Sequence, residues 1–297
     1  MSSASIRLSV RFASLLHSLT PELWIVNRAR ARAHAIAARL SDAFDVVRTQ
    51  LVGSHVMDTA ASGLSDLDLF VVLRRNAVRW GDSIVSSDTV LNNVRTELQA
   101  RYPTSPVRRD RMAISVSMDQ GRSVVDVVPA VFKGPHPTAG LCFQIPDGDG
   151  GWVITAPDRH LTYFRAANAR SHERLSRVIR LMKHWRYTRS QPIPLDSFHC
   201  EIALAVSDVC TAPGSYSHVL TRTFAFLLDR QGAGIRDPLG VSGLIPAAHT
   251  EAQRDALVGA LEHAVYNAQL ALDAERNGEV TEAVYRWRQV FNDQFPR

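Results

Sequence analysis

Two periodicities divide the chain. Between residues 5 and 43 apolar side chains recur at helical spacing, first Leu15, Leu16 and Leu19, then Leu23, Trp24, Val26, an alanine-rich run and Leu40, with a boundary at Pro21. Arg28, Arg30, Arg32 and Arg39 fall on the wet face of that pattern. From Asp45 the period drops to two. Asp45 to Val52 predicts a strand, Gly53-Ser54 a turn and Asp66 to Leu73 a second strand. Residues 86–101 return to helical spacing, with Ser87 or Asp88 as cap and Val90, Leu91, Val94 and Leu98 as the apolar stripe. Arg111 to Met118 and Ser123 to Phe132 read as a hairpin around Gln120-Gly121. Glycine and proline crowd residues 133–151, which predict a loop with one short strand at Leu141–Ile145. After Pro157 the pattern is helical almost to the end, in segments near 158–189, 196–211, 215–231, 250–276 and 279–292 set apart by Pro/Gly punctuation. The expected fold class is α+β. Residues 1–156 hold N-terminal helices and a core of mixed β-sheet with helices, and residues 157–297 form a helical lobe packed against it as one bilobed unit.

Composition narrows this little. With 45% apolar and 21% charged residues the chain resembles an ordinary soluble protein. No run approaches the roughly 18 apolar residues of a membrane span, and Met1-Ser-Ser-Ala-Ser-Ile-Arg lacks the apolar block of a signal peptide. A cytoplasmic protein without membrane contact is expected. Cys142, Cys200 and Cys210 have no zinc spacing and read as buried free thiols. A net charge of +5 favours phosphate-bearing partners, but the excess is spread rather than gathered into a nucleic-acid groove. Only Lys133 and Lys183 are lysine; every other basic side chain apart from histidine is arginine.

The informative stretch runs from Leu51 to Leu73. Asp66 and Asp68, two apart at the start of a strand, project from one face roughly 6–7 Å apart. Leu67, Leu69, Val71 and Leu73 take the other face. By itself an Asp-x-Asp reads as a solvated strand edge. Three further features change that reading. Gly53-Ser54 lies at a strand end and a predicted helix start, where backbone N–H groups and a hydroxyl can hold a triphosphate. Asp126 is the lone charge within Ser123-Val-Val-Asp-Val-Val-Pro-Ala130, and a buried strand carries such a charge only with a partner or cation. Lys183 flanks the stripe Leu175, Val178, Ile179, Met182 and Trp185, where it reads either as a snorkelling surface lysine or as a point charge for a triphosphate. Together these describe phosphoryl transfer, with two Mg²⁺ (or Mn²⁺) ions held by Asp66, Asp68 and Asp126. Asp126 is also placed to help take up the acceptor hydroxyl's proton. There is no Walker A loop, Gly-x-Gly-x-x-Gly fingerprint, Gly-x-Ser-x-Gly elbow or His-Glu-x-x-His.

Gly-Ser, eleven residues, Asp-Leu-Asp and a later Asp-Val-Val-Pro-Ala resemble the polymerase β-like nucleotidyltransferases. Thr59, Val178-Ile-Arg-Leu-Met-Lys-His-Trp185, Asp196-Ser-Phe-His-Cys-Glu201, Asp237-Pro238 and Trp287-Arg-Gln-Val-Phe-Asn-Asp-Gln-Phe-Pro296 resemble one branch, the cGAS/DncV-like nucleotidyltransferases (CD-NTases) of bacterial CBASS antiphage signalling. The resemblance implies an enzyme joining nucleoside triphosphates, ATP and GTP among the candidates, into a cyclic di- or trinucleotide second messenger. The diffusible product would reach a separate downstream effector. It also implies triphosphate-binding roles for Gly53, Ser54, Lys183 and Ser197, and metal-ligand roles for Asp66, Asp68 and Asp126. A monomer needing no nucleic acid is expected. Two departures stand out: Met57-Asp58-Thr59 where relatives have Arg-Gly-Thr, and Asn292 where a glycine is common. Asn168 interrupts the apolar stripe before Leu175. It reads as a satisfied buried amide or as a base-reading amide, since an amide both donates and accepts. The competing expectations are a nucleotidyltransferase making linear products, and a silent binding module that keeps the fold.

Overall fold

Alternation in one strand organises the mixed half of the molecule. In β2 (Leu67–Leu73), Leu67, Leu69, Val71 and Leu73 all enter one apolar core, and Phe70 and Val72 enter a second, smaller one on the opposite face. The computed structural model describes residues 3–81, 83–119 and 123–297. Their helices and strands begin with α1 (Ser3–Leu19) and α2 (Leu23–Ala43), followed by β1 (Val46–Val52) and β2. Next come β3 (Arg79–Trp80), β4 (Ser83–Ile84), α3 (Ser87–Arg101), β5 (Val107–Asp110), β6 (Ala113–Met118) and β7 (Ser123–His136), then β8 (Gly140–Pro146) and β9 (Trp152–Thr155). The remainder is α4 (Pro157–Arg170), α5 (Arg174–Tyr187), α6 (Ser197–Ser207), α7 (Tyr216–Asp229), β10 (Ile235–Arg236), β11 (Leu244–Ile245), α8 (Glu251–Asn277) and α9 (Val280–Val290).

The chain gathers into two units, Pro21–Thr162 with Leu239–Ser242, and Met1–Thr20 with Tyr163–Pro238 and Gly243–Arg297. The first helix therefore belongs with the C-terminal helices, and the boundary falls within α4 rather than before it. In the sheet unit the strand order is β1-β2-β7-β6-β5, with β8 joining β7 and β9 joining β8. All these pairings are antiparallel except β2 with β7. Ala29, Ala33, Ile36, Ala37 and Leu40 of α2, and Val90, Leu91, Val94 and Leu98 of α3, cover one face of the sheet. The α3 stripe is the one expected from the sequence, and the alanine-rich run and Leu40 of α2 are buried as expected, but Leu23 and Trp24, expected in the α2 stripe, are exposed because the sheet is covered only from Ala29 onward. On α2, Arg28 and Arg32 pair with Asp119 and Arg39 with Glu97.

Several sequence expectations are corrected. The α3 cap is Ser86, whose hydroxyl accepts the Thr89 N–H at 3.2 Å, not Ser87 or Asp88. The strand expected to stop at Phe132 continues to His136 through a bulge between Phe132 and Gly134, because β8 pairs with its second half. β5 and β9 were not foreseen; each is four residues long, and one neighbour supplies all its pairing. The expected turn at Gln120-Gly121 lies outside the described residues. Residues 158–189 are two helices, not one. His172 and Glu173 adopt left-handed backbone (φ 52° and 61°), and Asn168 and Ser171 accept the Ser176 and Leu175 N–H groups that a fresh helix start leaves open.

In the helical unit the core is aromatic. Phe12 of α1 meets Trp287 edge-on at 5.1 Å and Phe295 at 4.8 Å, and Trp185 meets Phe224 at 5.1 Å. The three cysteines are buried and free, as the sequence implied. Among the described residues no helix is long and apolar enough to cross a membrane. Because Phe12 is fully buried among rings drawn from the far end of the chain, Phe12→Ala is expected to cost about 3–5 kcal/mol. Denaturant unfolding measures it, and a loss under 1 kcal/mol would contradict the assignment of α1 to this unit.

Candidate active site

Register brings the acidic residues together. Val52 of β1 pairs with Asp68 of β2, Asp68 with Asp126 of β7, and Asp126 with Ser115 of β6. Residues opposite one another on neighbouring strands share a face, so Asp68, Asp126 and Ser115 form one polar row across three strands. Asp66 lies one residue before β2 and is exposed. Beyond the row the same face turns apolar, where Phe70, Val72, Ala130 and Phe143 cluster.

The row is electrostatically loaded. Ser115 Oγ donates to Asp126 Oδ1 at 2.6 Å. Even so, the Asp126 carboxyl is pushed up to about 6, chiefly by desolvation. The Ser115 hydrogen bond opposes the rise, and the negative charges of Asp66 and Asp110 add to it. Asp66 is also raised, first by desolvation and then by Asp110. Asp110 was not anticipated. In the sequence it lies between Arg109 and Arg111 and looks like an ion-pair partner; only the β5-β6-β7 order carries it towards the row. Ser115 was missed too, although its alternation with Ile114 and Val116 was a usable signal. Among the described residues no three His, Cys, Asp or Glu side chains close into a preformed metal cage.

Gly53 follows β1 at φ +69°, and a Cβ there would lie 2.0 Å from Asp68 Oδ2. Glycine is thus required twice, by the backbone and by the carboxylate above it. The helix expected to begin here is a single 3₁₀ turn, Gly53–His55. Gly53 O accepts the Val56 and Met57 N–H groups at 3.1 Å, and buried Ser54 accepts the Thr59 N–H at 2.9 Å through its carbonyl. Asp58 (φ 56°) and Asn292 (φ 47°) stand in left-handed backbone, a region that Asp and Asn tolerate best among the residues other than glycine. Asn292 also donates to the Thr188 carbonyl at 2.7 Å.

Lys183, Ser197 and Asn168 lie in the helical unit. Lys183 is not a surface lysine. It is buried in α5, with Nζ 3.0 Å from Glu201 Oε1 of α6. Ser197 begins α6, capped by Asp196, and accepts from Arg186 Nη1 at 2.8 Å. The Asn168 amide donates to Glu173 and accepts from Ser176, so both its ends serve the α4–α5 junction.

Residues 6–168, more than half of the chain, match the Second Messenger Oligonucleotide or Dinucleotide Synthetase domain. The chain belongs to this family. It is accordingly a nucleotidyltransferase, a cyclic oligonucleotide second-messenger synthase, and the enzymes of its family normally use divalent metal ions. A probable cyclic nucleotide synthase of Bacillus cereus (strain VD146) is 23% identical over 270 residues, 82% of this chain and 81% of that one. The synthetase is similar in fold to Escherichia coli MS115-1 CdnC solved with ATP (TM-score 0.74, 20% identity, 96% of this chain and 98% of that one). It is also similar to Vibrio cholerae DncV cyclic AMP-GMP synthase with the linear intermediate pppA(3′,5′)pG (TM-score 0.64, 16% identity, 84% of this chain and 69% of that one). The expected polymerase β-like core of mixed sheet and helices is thereby confirmed.

The raised Asp126 gives a sign. Its folded form holds a proton more tightly than the unfolded chain, so its contribution to stability is complete below about pH 4 and lost as pH rises to about 6. Asp126→Asn, which can still accept from Ser115, is expected to stabilise the metal-free synthetase by about 1–3 kcal/mol at pH 7.5 and not at pH 3.5. Thermal unfolding in chelator at the two pH values reads it, and equal effects at both would refute the cause given. Gly53→Ala should cost about 1–3 kcal/mol from left-handed strain and the displaced Asp68 carboxylate, again read by thermal unfolding.

Proposed function

We propose that the synthetase joins nucleoside triphosphates by two-metal phosphoryl transfer at the row formed by Asp66, Asp68 and Asp126. The observation that carries this reading is the in-register pair Asp68 and Asp126, with Gly53 directly over Asp68 and Asp66 two residues away. The donor set is all oxygen and its carboxyls repel one another, which is a fit for hard divalent cations. The lack of a closed cage suits Mg²⁺, which keeps waters and takes ligands from substrate phosphates as well as from one or two carboxylates. Mn²⁺ offers the same coordination. When bound, two such ions lower the acceptor hydroxyl's pKa and neutralise the departing pyrophosphate.

The chain's own residues do the rest. Gly53 leaves room for the Asp68 carboxylate, and the Gly53-Ser54 turn is the triphosphate cradle. Lys183 and Ser197 take triphosphate contacts on the family's pattern; the Glu201 and Arg186 partners hold each in one rotamer meanwhile. In each step the acceptor hydroxyl oxygen bonds to the α-phosphorus. The bond to the β-phosphate oxygen breaks, pyrophosphate leaves with the electron pair, and Asp126 helps take up the hydroxyl proton. Asn168 reads a base only if its amide leaves Glu173 and Ser176. Repetition within one bound intermediate closes a ring of two or three nucleotides. Antiphage defence through a separate effector is proposed from the CD-NTase resemblance, with the synthetase acting as a cytoplasmic monomer independent of nucleic acid and membrane.

Incubation with the four nucleoside triphosphates and Mg²⁺ or Mn²⁺ is expected to give products that survive phosphatase and whose masses correspond to cyclic species. Wholly phosphatase-sensitive products would establish a linear-product enzyme instead. The Asp66→Asn/Asp68→Asn double variant is expected to lose at least about 10³-fold in pyrophosphate release, together with any protection of cells in a phage-plating assay. A variant equal to the parent in both would overturn the metal-site assignment.

A further inference from the structure

The helical unit contains a cavity of about 260 Å³ that shares no residue with the carboxylate row or the triphosphate positions. It is lined by Arg189 just after α5, Ala260 and His263 of α8, Arg288 and Gln289 of α9, and Asn292 and Asp293 beyond α9. Two guanidinium groups share this cavity, and the surrounding groups satisfy their donors only in part.

Arg189 has five N–H donors. Nη1 reaches the Thr188 hydroxyl at 3.1 Å and Nη2 the Val290 carbonyl at a long 3.5 Å. No carboxylate pairs with Arg189 among the described residues, and desolvation lowers its pKa from the ordinary arginine value. Arg288 Nη2 pairs with Asp293 at 2.8 Å, yet its Nε is buried with no hydrogen-bond partner. His263 accepts at Nε2 from the buried Asn267 amide at 3.2 Å, which leaves its Nδ1–H as donor. Desolvation and the charge of Arg189 lower its pKa, so the ring is neutral at pH 7. The cavity thus carries two arginine charges against one aspartate. Asp293 is mostly exposed and sits in left-handed backbone at the rim, where it can be displaced.

We propose that this cavity is a binding site for a phosphate oxyanion, either inorganic phosphate or the phosphate of a nucleotide. A carboxylate is satisfied by a single guanidinium fork. A phosphate monoester presents three oxygens and a charge near −2, which answers two arginines and a ring N–H together. Gln289 and Asn292 supply amides beside it, and the volume accommodates a phosphate with part of a sugar.

Inorganic phosphate, pyrophosphate and adenosine monophosphate, each titrated calorimetrically into chelator-treated protein, test the site. At least one is expected to bind in a manner that Gly53→Ala leaves unchanged. Arg189→Gln and Arg288→Gln should each weaken that binding about tenfold or more. Asp293→Asn, which removes the competing carboxylate and no donor, should tighten it by about two- to fivefold. Tightest binding of adenosine monophosphate would mark a nucleotide site, and equal binding of inorganic phosphate a free-anion site. Binding that ignores Arg189→Gln, or that weakens in Asp293→Asn, would overturn the proposal. So would the absence of binding by all three probes. The Asp293→Asn arm decides the matter even if an arginine variant fails to fold.

Discussion

Everything at the candidate active site depends on the single parallel pairing in the sheet, β2 against β7. That register sets Asp68 opposite Asp126, and through β6 it sets Ser115 opposite Asp126 in turn. Slippage by one residue would send each carboxylate into the core formed by α2 and α3. The polar row holds the register, because Leu67, Leu69, Val71 and Leu73 fill one apolar face and a slip would set Asp68 among them, while Phe70 and Val72 pack on the other face. The price of that precision is a carboxyl near 6 at Asp126, an unfavourable electrostatic state that a bound cation would relieve.

The same constraint accounts for Gly53. A strand that ends beside Asp68 must turn without any side chain, since even a methyl group would overlap the carboxylate. Left-handed backbone also falls on non-glycine residues, Asp58 and Asn292 among them, where a short polar side chain carries the conformation at modest cost. Glycine is thus indispensable where it faces the chemistry and replaceable where only backbone geometry is at stake.

In the helical unit a buried ion pair takes the organising role. Lys183 and Glu201 join α5 to α6, each buried, so that loss of either would remove an opposite charge from beside the other in the core. Any triphosphate contact by Lys183 therefore competes with, or shares, a charge that the fold also needs.

The sequence by itself determined most elements, the Leu67–Leu73 apolar face of β2, Asp66, Asp68 and Asp126 as the candidate acidic residues, and the family. These follow from spacing along the chain and from residue types whose chemistry is local. It did not determine where α1 belongs, since Phe12 finds its rings at Trp287 and Phe295, which helical periodicity cannot name. Nor did it reveal the break between α4 and α5, which contains no proline or glycine and rests on the capping of Ser176 and Leu175 by Asn168 and Ser171. Asp110, the Glu201 partner of Lys183 and the Arg189–Arg288 cavity were decided by tertiary structure alone. Each is a relation between residues on different elements, and only strand order and helix packing bring such residues close enough for charge and hydrogen bonding to act.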